Sequence, residues 1–285
     1  MQRSVPDPLP IRHVRPKARI AASAVLLSLA TLCFSACSTE HDAAGGTFEA
    51  ARPGVLTVAT AFLPAPGFWQ GNPPTRGFEA GLAAALAKQL GLRRVEVVQV
   101  PFADIVRGKL GGADLALSQL TPTSGRERFL DFTTPYLSAP PGVLTRPGVD
   151  ASDVRGLQEL HWVVSRVSTL TPIVMHKIRP NAEPVVVDDR SRALEVLRSG
   201  RADALLLDLP VAMGLARREP GRFHVLGQLD SEQAGLAAAV PDGSPNREIV
   251  DSAVRSLQAD GTIERLVSRW LGENEQRVPL ILTES

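Results

Sequence analysis

Thr121-Pro-Thr-Ser-Gly-Arg126, followed shortly by Asp131-Phe-Thr-Thr-Pro-Tyr136, is the stretch that decides the fold class of this chain. A second stretch is Gly200-Arg-Ala-Asp-Ala-Leu-Leu-Leu-Asp208. It contains an apolar run of strand length that ends in a charged residue. Together they place a cation, Arg126, and an anion, Asp208, at the ends of two separate strands. The carboxylate and the ammonium of a free α-amino acid need such a pair of partners.

Apolar runs of strand length alternate with stretches of helical spacing on both sides of these motifs. Regular β-α-β alternation is typical of parallel sheets with helices on both faces, so the sequence predicts an α/β fold. The pattern restarts after Tyr136, which favours two lobes. The predicted strands are Val55–Ala59, Val95–Val100, Ala113–Leu117, Val143–Leu144, Trp162–Val164, Val185–Val187 and Ala204–Leu207. A short helix is predicted over Phe102–Leu110.

These motifs resemble the amino-acid-binding proteins of ABC importers, which are related to glutamate-receptor ligand cores. The resemblance covers roughly Gly54 to Glu273. It implies a two-lobed periplasmic-binding-protein-like fold of type II topology, with two parallel or mixed sheets joined by a two-stranded hinge. The implied division is lobe 1 at 53–138 plus 232–275, lobe 2 at 139–231 and a C-terminal tail at 276–285.

The resemblance makes Arg126 the anchor for a ligand carboxylate, helped by Thr121. A guanidinium suits this role because it donates two parallel hydrogen bonds to a carboxylate. The alternative is that Arg126 is a solvated surface charge, and Arg128 is a nearby rival. Gln119 is a further candidate for ligand contact.

Ser168 and Thr169 follow the predicted strand Trp162–Val164, where family members carry Gly-Thr-Thr. The resemblance makes them donors to the same carboxylate, although Val167 replaces the glycine. A valine would be strained there if the site needs a positive φ. The alternative for Ser168 is a helix N-cap.

Asp208 is the candidate partner for the ligand ammonium, because it emerges at the carboxyl end of its strand. Its rival is Asp203, five residues earlier, which we expect to cap or turn the chain before the strand.

The first loop departs from the family pattern. Ala61 stands where an acid often follows the first strand, which argues against a ligand with a basic side chain. Phe62 and Trp69 are candidates to line the pocket and stack on the ligand. The equal alternative is that they pack in the core under a proline-rich loop.

The N-terminal leader has a basic region, an uncharged run from Ile20 to Phe34, and small residues before Cys37. It resembles a bacterial lipoprotein signal, which implies cleavage after residue 36, lipidation of Cys37 and a tether at 37–52. A plain secretory signal and an uncleaved anchor are the alternatives.

The two cysteines are Cys33, which this cleavage would remove, and Cys37, which lipidation would block, so we expect the mature chain to have no thiol for catalysis, zinc binding or redox chemistry. Removing residues 1–36 leaves 26 basic and 29 acidic residues, a net charge of −3. This balance argues against nucleic acid as a partner.

These observations predict an extracytoplasmic receptor for an amino acid or similar small polar solute. We expect it to be monomeric, to need no cofactor or metal, to be held on the membrane by its lipid and to dock on ABC permease subunits. Two alternatives use the same fold, namely an enzyme resembling cyclohexadienyl dehydratases and a ligand-sensing module for a signalling partner.

Overall fold

Six consecutive buried residues, Val55–Thr60, form the first strand, which is flanked on both sides in its sheet. The computed structural model describes residues 47–230, 235–272 and 278–283. In chain order the strands are β1 (Val55–Thr60), β2 (Gln70–Gly71), β3 (Pro74–Arg76), β4 (Arg94–Gln99), β5 (Leu115–Leu120), β6 (Leu130–Phe132), β7 (Pro141–Thr145), β8 (Trp162–Ser165), β9 (Val185–Val187), β10 (Ala204–Asp208), β11 (His224–Leu229), β12 (Ala237–Pro241) and β13 (Leu280–Ile281).

The helices lie between these strands and cover the sheets. They are α1 (Phe78–Gln89), α2 (Phe102–Ile105), α3 (Val154–Glu159), α4 (Thr171–Ile173), α5 (Arg190–Arg198), α6 (Leu209–Arg218), α7 (Arg247–Ala259) and α8 (Thr262–Trp270). A π-helical turn, Val174–Ile178, continues α4. The C-terminal pair α7 and α8 packs on α1.

Two main sheets form the centres of two lobes. The sheet of lobe 1 has the order β4-β1-β5-β12-β6, in which β4, β1 and β5 are parallel and β12 is antiparallel to both neighbours. The sheet of lobe 2 has the order β13-β11-β7-β10-β8-β9, with β10, β8 and β9 parallel. Both sheets are therefore mixed, and the parallel strands carry the β-α-β alternation seen in the sequence.

The chain passes from lobe 1 to lobe 2 after β6 and returns before β12. Near these passages the backbones of Leu137 and Leu236 exchange hydrogen bonds of 2.8 and 3.4 Å. A paired crossing of this kind suits a hinge, because a few residues can absorb the rotation of one lobe against the other. The exact boundaries at 138/139 and 231/232 stay predictions, and residues 231–234 lie outside the described residues.

Some element boundaries differ from the sequence prediction. The helix expected over Phe102–Leu110 ends at Ile105, and Gly108 beyond it has a φ of 79°, which a right-handed helix does not contain. The strand expected to end at Leu117 runs to Leu120. This extension brings Gln119 and Thr121 to the carboxyl end of a parallel strand, where ligands bind in α/β sheets.

The ends of the fold correct the predicted tether and tail. Phe48 is buried, and the backbone N–H groups of Glu49 and Ala51 donate to Asn246 (2.8 Å) and Asp114 (2.6 Å). The predicted tether at 37–52 is therefore packed on lobe 1 from residue 48, because an apolar ring and paired backbone groups hold it there. At the other end, Leu280–Ile281 of the predicted tail add an edge strand to lobe 2.

The lipidation residue Cys37 and the signal at 1–36 lie outside the described residues. Within the ranges that the structure covers, no helix combines the length and the apolar character that crossing a bilayer requires.

Candidate ligand-binding cleft

A cavity of about 50 Å³ lies between the two lobes, with walls from both of them. It has room for a few water molecules, so the lobes are close together. Six of the residues predicted from the sequence line it, namely Gln119, Thr121, Arg126, Ser168, Thr169 and Asp208. Their ligand-binding roles stay predictions, but the structure brings them to one place.

Arg126 follows β5 on a helical turn, where its backbone N–H donates to the carbonyl of Thr123 (2.9 Å). Its guanidinium is buried and lies 5.4 Å from the centre of the Phe102 ring. Nη1 donates to the carbonyl of Thr121 (2.9 Å), and Nη2 donates across the cleft to the carbonyl of Val167 (3.1 Å). Burial lowers the pKa of Arg126 to about 10, against the opposing effect of Asp208, so the group stays a cation at neutral pH.

Asp208 ends β10 and immediately precedes α6. Its side chain is buried and lines the cavity, and its own backbone N–H stabilises the carboxylate. Burial raises the pKa of Asp208 to about 6, although Arg190 and Arg126 counteract this rise. The rival Asp203 is engaged elsewhere, since it pairs with Arg146 (2.5 Å) and His161 (3.0 Å). Of these two acids, only Asp208 lines the cavity.

The loop after β8 carries Ser168 and Thr169, the hydroxyl residues that we predicted to donate hydrogen bonds to the ligand from lobe 2. Ser168 Oγ accepts from the N–H of Leu170 (3.2 Å), and Thr171 Oγ1 donates to the carbonyl of Ser165 (2.7 Å). Val167 does not have the positive φ that would strain a β-branched residue, since among described non-glycine residues only Gln119 and Arg179 do. Ser168 does not occupy the N-cap position of α4, which is Leu170.

A network that the sequence did not reveal holds Gln119 in place. Glu79 is fully buried and accepts hydrogen bonds from Gln119 N (2.8 Å), Gln119 Nε2 (2.5 Å) and the Tyr136 hydroxyl (2.6 Å). Gln119 has a φ of 49°, a left-handed conformation that a non-glycine residue keeps only when its surroundings compensate. Because Nε2 is committed to Glu79, the amide presents Oε1 away from it.

Arg190 is the second missed residue. It is the first residue of α5, directly after Asp189, whose side chain caps that helix by accepting from Arg192 N (2.9 Å). Arg190 Nη1 donates to Gln119 Oε1 (3.2 Å) and to the carbonyl of Pro64 (3.4 Å), both in lobe 1. Burial lowers the pKa of Arg190, and Asp208, Glu79 and Asp189 oppose this effect. Its place just beyond the carboxyl end of β9 is the one sequence signal that pointed to the cleft.

Phe62 and Trp69 lie outside this cavity. Phe62 is 43% exposed and borders a surface groove beside the cleft. Trp69 packs against the core, and its Nε1 donates to the carbonyl of Leu117 (3.1 Å). The structure therefore does not bring these two aromatic residues to the ligand-facing wall. Trp69 takes the core-packing alternative because its N–H finds a buried backbone partner there.

We expect Glu79→Gln to destabilise the protein and to weaken ligand binding. Burial raises the pKa of Glu79, while the donors of Tyr136 and Gln119 lower it. An amide in its place would direct an N–H at one of these donors, which we expect to cost about 1–3 kcal/mol of unfolding free energy. Urea unfolding measures this cost. The exposed Glu127→Gln is the matched control, and equal midpoints for both variants would contradict a positioning role for Glu79.

Comparisons with known proteins agree with this arrangement. The family model of the bacterial extracellular solute-binding proteins, family 3, matches residues 56–273. The chain is 29% identical over 202 residues to the L-cystine-binding protein TcyJ of Escherichia coli (strain K12), covering 69% of this chain and 74% of TcyJ. It is also 29% identical over 202 residues to the virulence sensor protein BvgS of Bordetella pertussis (strain Tohama I), covering 68% of this chain but only 16% of BvgS.

A solved structure shows the same architecture. An ancestral arginine-binding protein bound to glutamine superposes with a TM-score of 0.68 at 28% identity, covering 78% of this chain and 100% of that one. The two-lobed, mixed α/β periplasmic-binding-protein-like fold expected from the sequence is thus confirmed. The family model covers most of the chain and both lobes. The chain belongs to the bacterial extracellular solute-binding proteins, family 3.

Proposed function

We propose that the chain is the substrate-binding component of an ABC importer and binds a free α-amino acid between its lobes. One observation carries this proposal. Arg126 and Asp208 line one cavity from opposite lobes, and neither has an ion-pair partner within 4.0 Å among the described residues. The ligand carboxylate would pair with Arg126, and the ligand ammonium would pair with Asp208, each through charge-assisted hydrogen bonds.

The proposed mechanism is closure of the lobes around the ligand. Arg126 already reaches Val167 across the cleft, and Arg190 reaches Gln119 and Pro64. A ligand that contacts both lobes stabilises the closed form only through its additional contacts there, which shifts the equilibrium towards closure. The closed form would then dock on the permease subunits of the importer.

The leader completes the proposal. We infer that Cys37 is lipidated and that the anchored protein works outside the cytoplasm, as a monomer. Support comes from the lipoprotein-like sequence before Cys37 and from the family. Mass spectrometry of the membrane fraction tests it, since lipidation adds a diacylglyceryl group to Cys37 and Cys37→Ala would release the protein from the membrane.

Ligand-sensing is the second candidate function, and the similarity to part of BvgS favours it. A sensor would use the same cleft but would pass its closed state to a signalling protein. Co-purification under native conditions separates the two, because an importer component retains permease subunits and a sensor retains a signalling partner.

A thermal-shift screen against the twenty amino acids tests the binding function. A specific ligand at 100 times its Kd is expected to stabilise the protein by about 2.7 kcal/mol, because it binds only the folded state. Spectra of the recovered ligand by NMR test the enzyme alternative, since a receptor releases its ligand unchanged. No stabilisation by any amino acid would overturn the proposed function.

A further inference from the structure

The cavity contains three charged groups, two of them positive. These are Arg126 and Asp208, already placed opposite the two ends of an amino acid, and Arg190. The other polar side chains that line it are neutral amide and hydroxyl groups. None of the three charged groups has a carboxylate or cation within 4.0 Å in the described part of the chain. The cleft therefore offers two cationic positions and one anionic position.

Arg190 is held at the cavity by neutral oxygen atoms only. Its two hydrogen bonds, to Gln119 Oε1 and to the Pro64 carbonyl, are long at 3.2 and 3.4 Å. Such bonds position a guanidinium without neutralising it. Because Glu79 holds the Nε2 of Gln119, the acceptor Oε1 stays directed at Arg190.

The acids around Arg190 are already engaged. Glu79 accepts three hydrogen bonds from Gln119 and Tyr136 and does not line the cavity. Asp189 caps α5. Asp188 is 92% exposed and lies beside Arg166 (3.4 Å). Asp208 is the anionic group of the cavity itself, and it faces Arg126 as well.

A zwitterionic amino acid would leave this arrangement unbalanced. Its carboxylate would pair with Arg126 and its ammonium with Asp208, so the positive charge of Arg190, which is half-buried at the cavity, would remain uncompensated. An unpaired charge that is partly removed from water is costly, whereas a second carboxylate would pair with it. A basic side chain would face Arg190 with no acid to receive it, since Asp208 is the only carboxylate among the described residues that line the cavity.

We propose that Arg190 is a specificity-determining residue that binds a side-chain carboxylate, so that the ligand is an acidic amino acid. This inference rests on the proposed function and names its substrate class. Of the ligand's three charged groups, two carboxylates would meet Arg126 and Arg190, and one ammonium would meet Asp208.

Isothermal titration calorimetry on the purified full chain tests the proposal. The ligand pairs are L-glutamate with L-glutamine and L-aspartate with L-asparagine, because each pair has nearly the same shape and differs in side-chain charge. We expect one acid to bind at least about tenfold more tightly than its amide, because a modest gain in binding free energy from one charged pair changes the affinity by a factor of this size. Glutarate, which lacks the ammonium, is expected to bind at least about tenfold more weakly than L-glutamate, for the same reason.

The Arg190→Gln variant is expected to bring the acid-to-amide ratio to about one, because it removes the charge and keeps a hydrogen-bonding side chain. Arg192→Gln is the matched control, since Arg192 is an exposed residue of the same helix that pairs with Glu195. It should leave the ratio unchanged.

Three results would overturn the inference. A wild-type protein that binds an amide or another neutral amino acid as tightly as the acid refutes it, while the proposed function stands. If the Arg190→Gln variant still prefers the acid to its amide, Arg190 does not determine the specificity. Binding of no amino acid at all overturns the proposed function, and the inference with it.

Discussion

Replacing Asp208 with Asn is expected to abolish amino-acid binding while making the ligand-free protein more stable. The two effects have one cause. Asp208 is buried, and its pKa is raised from 3.8 to about 6 by that burial. At neutral pH the protein therefore carries an ionised carboxylate at a cost of about 3 kcal/mol, which the ligand ammonium would offset.

The pH dependence of this effect has a definite sign. In the unfolded chain Asp208 ionises near pH 3.8, whereas in the folded protein it holds its proton to about pH 6. The folded state binds more protons between these values, so the contribution of Asp208 to stability falls as the pH rises from about 4 to about 6. Ligand affinity should instead rise with pH. It should be about tenfold lower at pH 5 than at pH 7, because a protonated carboxyl holds an ammonium poorly.

Urea unfolding and calorimetry at pH 5 and pH 8 measure both effects. At pH 8 we expect Asp208→Asn to gain up to about 3 kcal/mol of unfolding free energy and to lose about 2–5 kcal/mol of binding free energy. Asp203→Asn is the matched control and should be destabilising, because it breaks the pairs with Arg146 and His161. If the Asp208→Asn variant bound the ligand with unchanged affinity, Asp208 would not be part of the binding site.

Arg126→Gln is the second substitution with a large expected effect. The ligand carboxylate would lose its only cationic partner on lobe 1, since among the charged residues that line the cavity Arg190 belongs to lobe 2. Losing a charge-assisted pair in a shielded site is expected to cost about 2–5 kcal/mol of binding free energy. Arg126→Lys keeps the charge but cannot donate two parallel hydrogen bonds, so we expect it to retain only part of the affinity.

Arg128→Gln is the control for this experiment. Arg128 is exposed two residues away and packs over the Phe129 ring (5.6 Å) outside the cavity. Calorimetry should show unchanged affinity for Arg128→Gln and near-complete loss for Arg126→Gln. The reverse order would identify Arg128 as the carboxylate anchor.

The alternation of strands and helices could be predicted because it is a local property of the chain. The spacing of apolar residues over a window of about 5 to 12 residues can be recognised without tertiary structure. The strands β5 and β10 could be located in the same way, although β5 runs to Leu120 and not to the predicted Leu117. The rule that ligands bind at carboxyl ends of strands then brought Arg126 and Asp208 together. Their charge and their position after a buried run were enough to single them out.

Contacts between distant segments could not be predicted. Arg190 meets Gln119 across 71 residues of sequence, and Glu79 meets Gln119 across 40. Arg190 has an ordinary position at the start of a helix, and Glu79 lies within the first turn of α1. Only its position after β9 marks Arg190, and Glu79 has no local pattern that distinguishes it from a solvated charge.

The sequence by itself determined the α/β class, the two lobes and the two opposite charges at strand ends, because period, apolar runs and residue type are local. Only the tertiary structure decided which side chains share the cavity and which are shielded from water. Burial raises the pKa of Asp208 and lowers that of Arg190, and burial is a property of the folded surroundings of a residue.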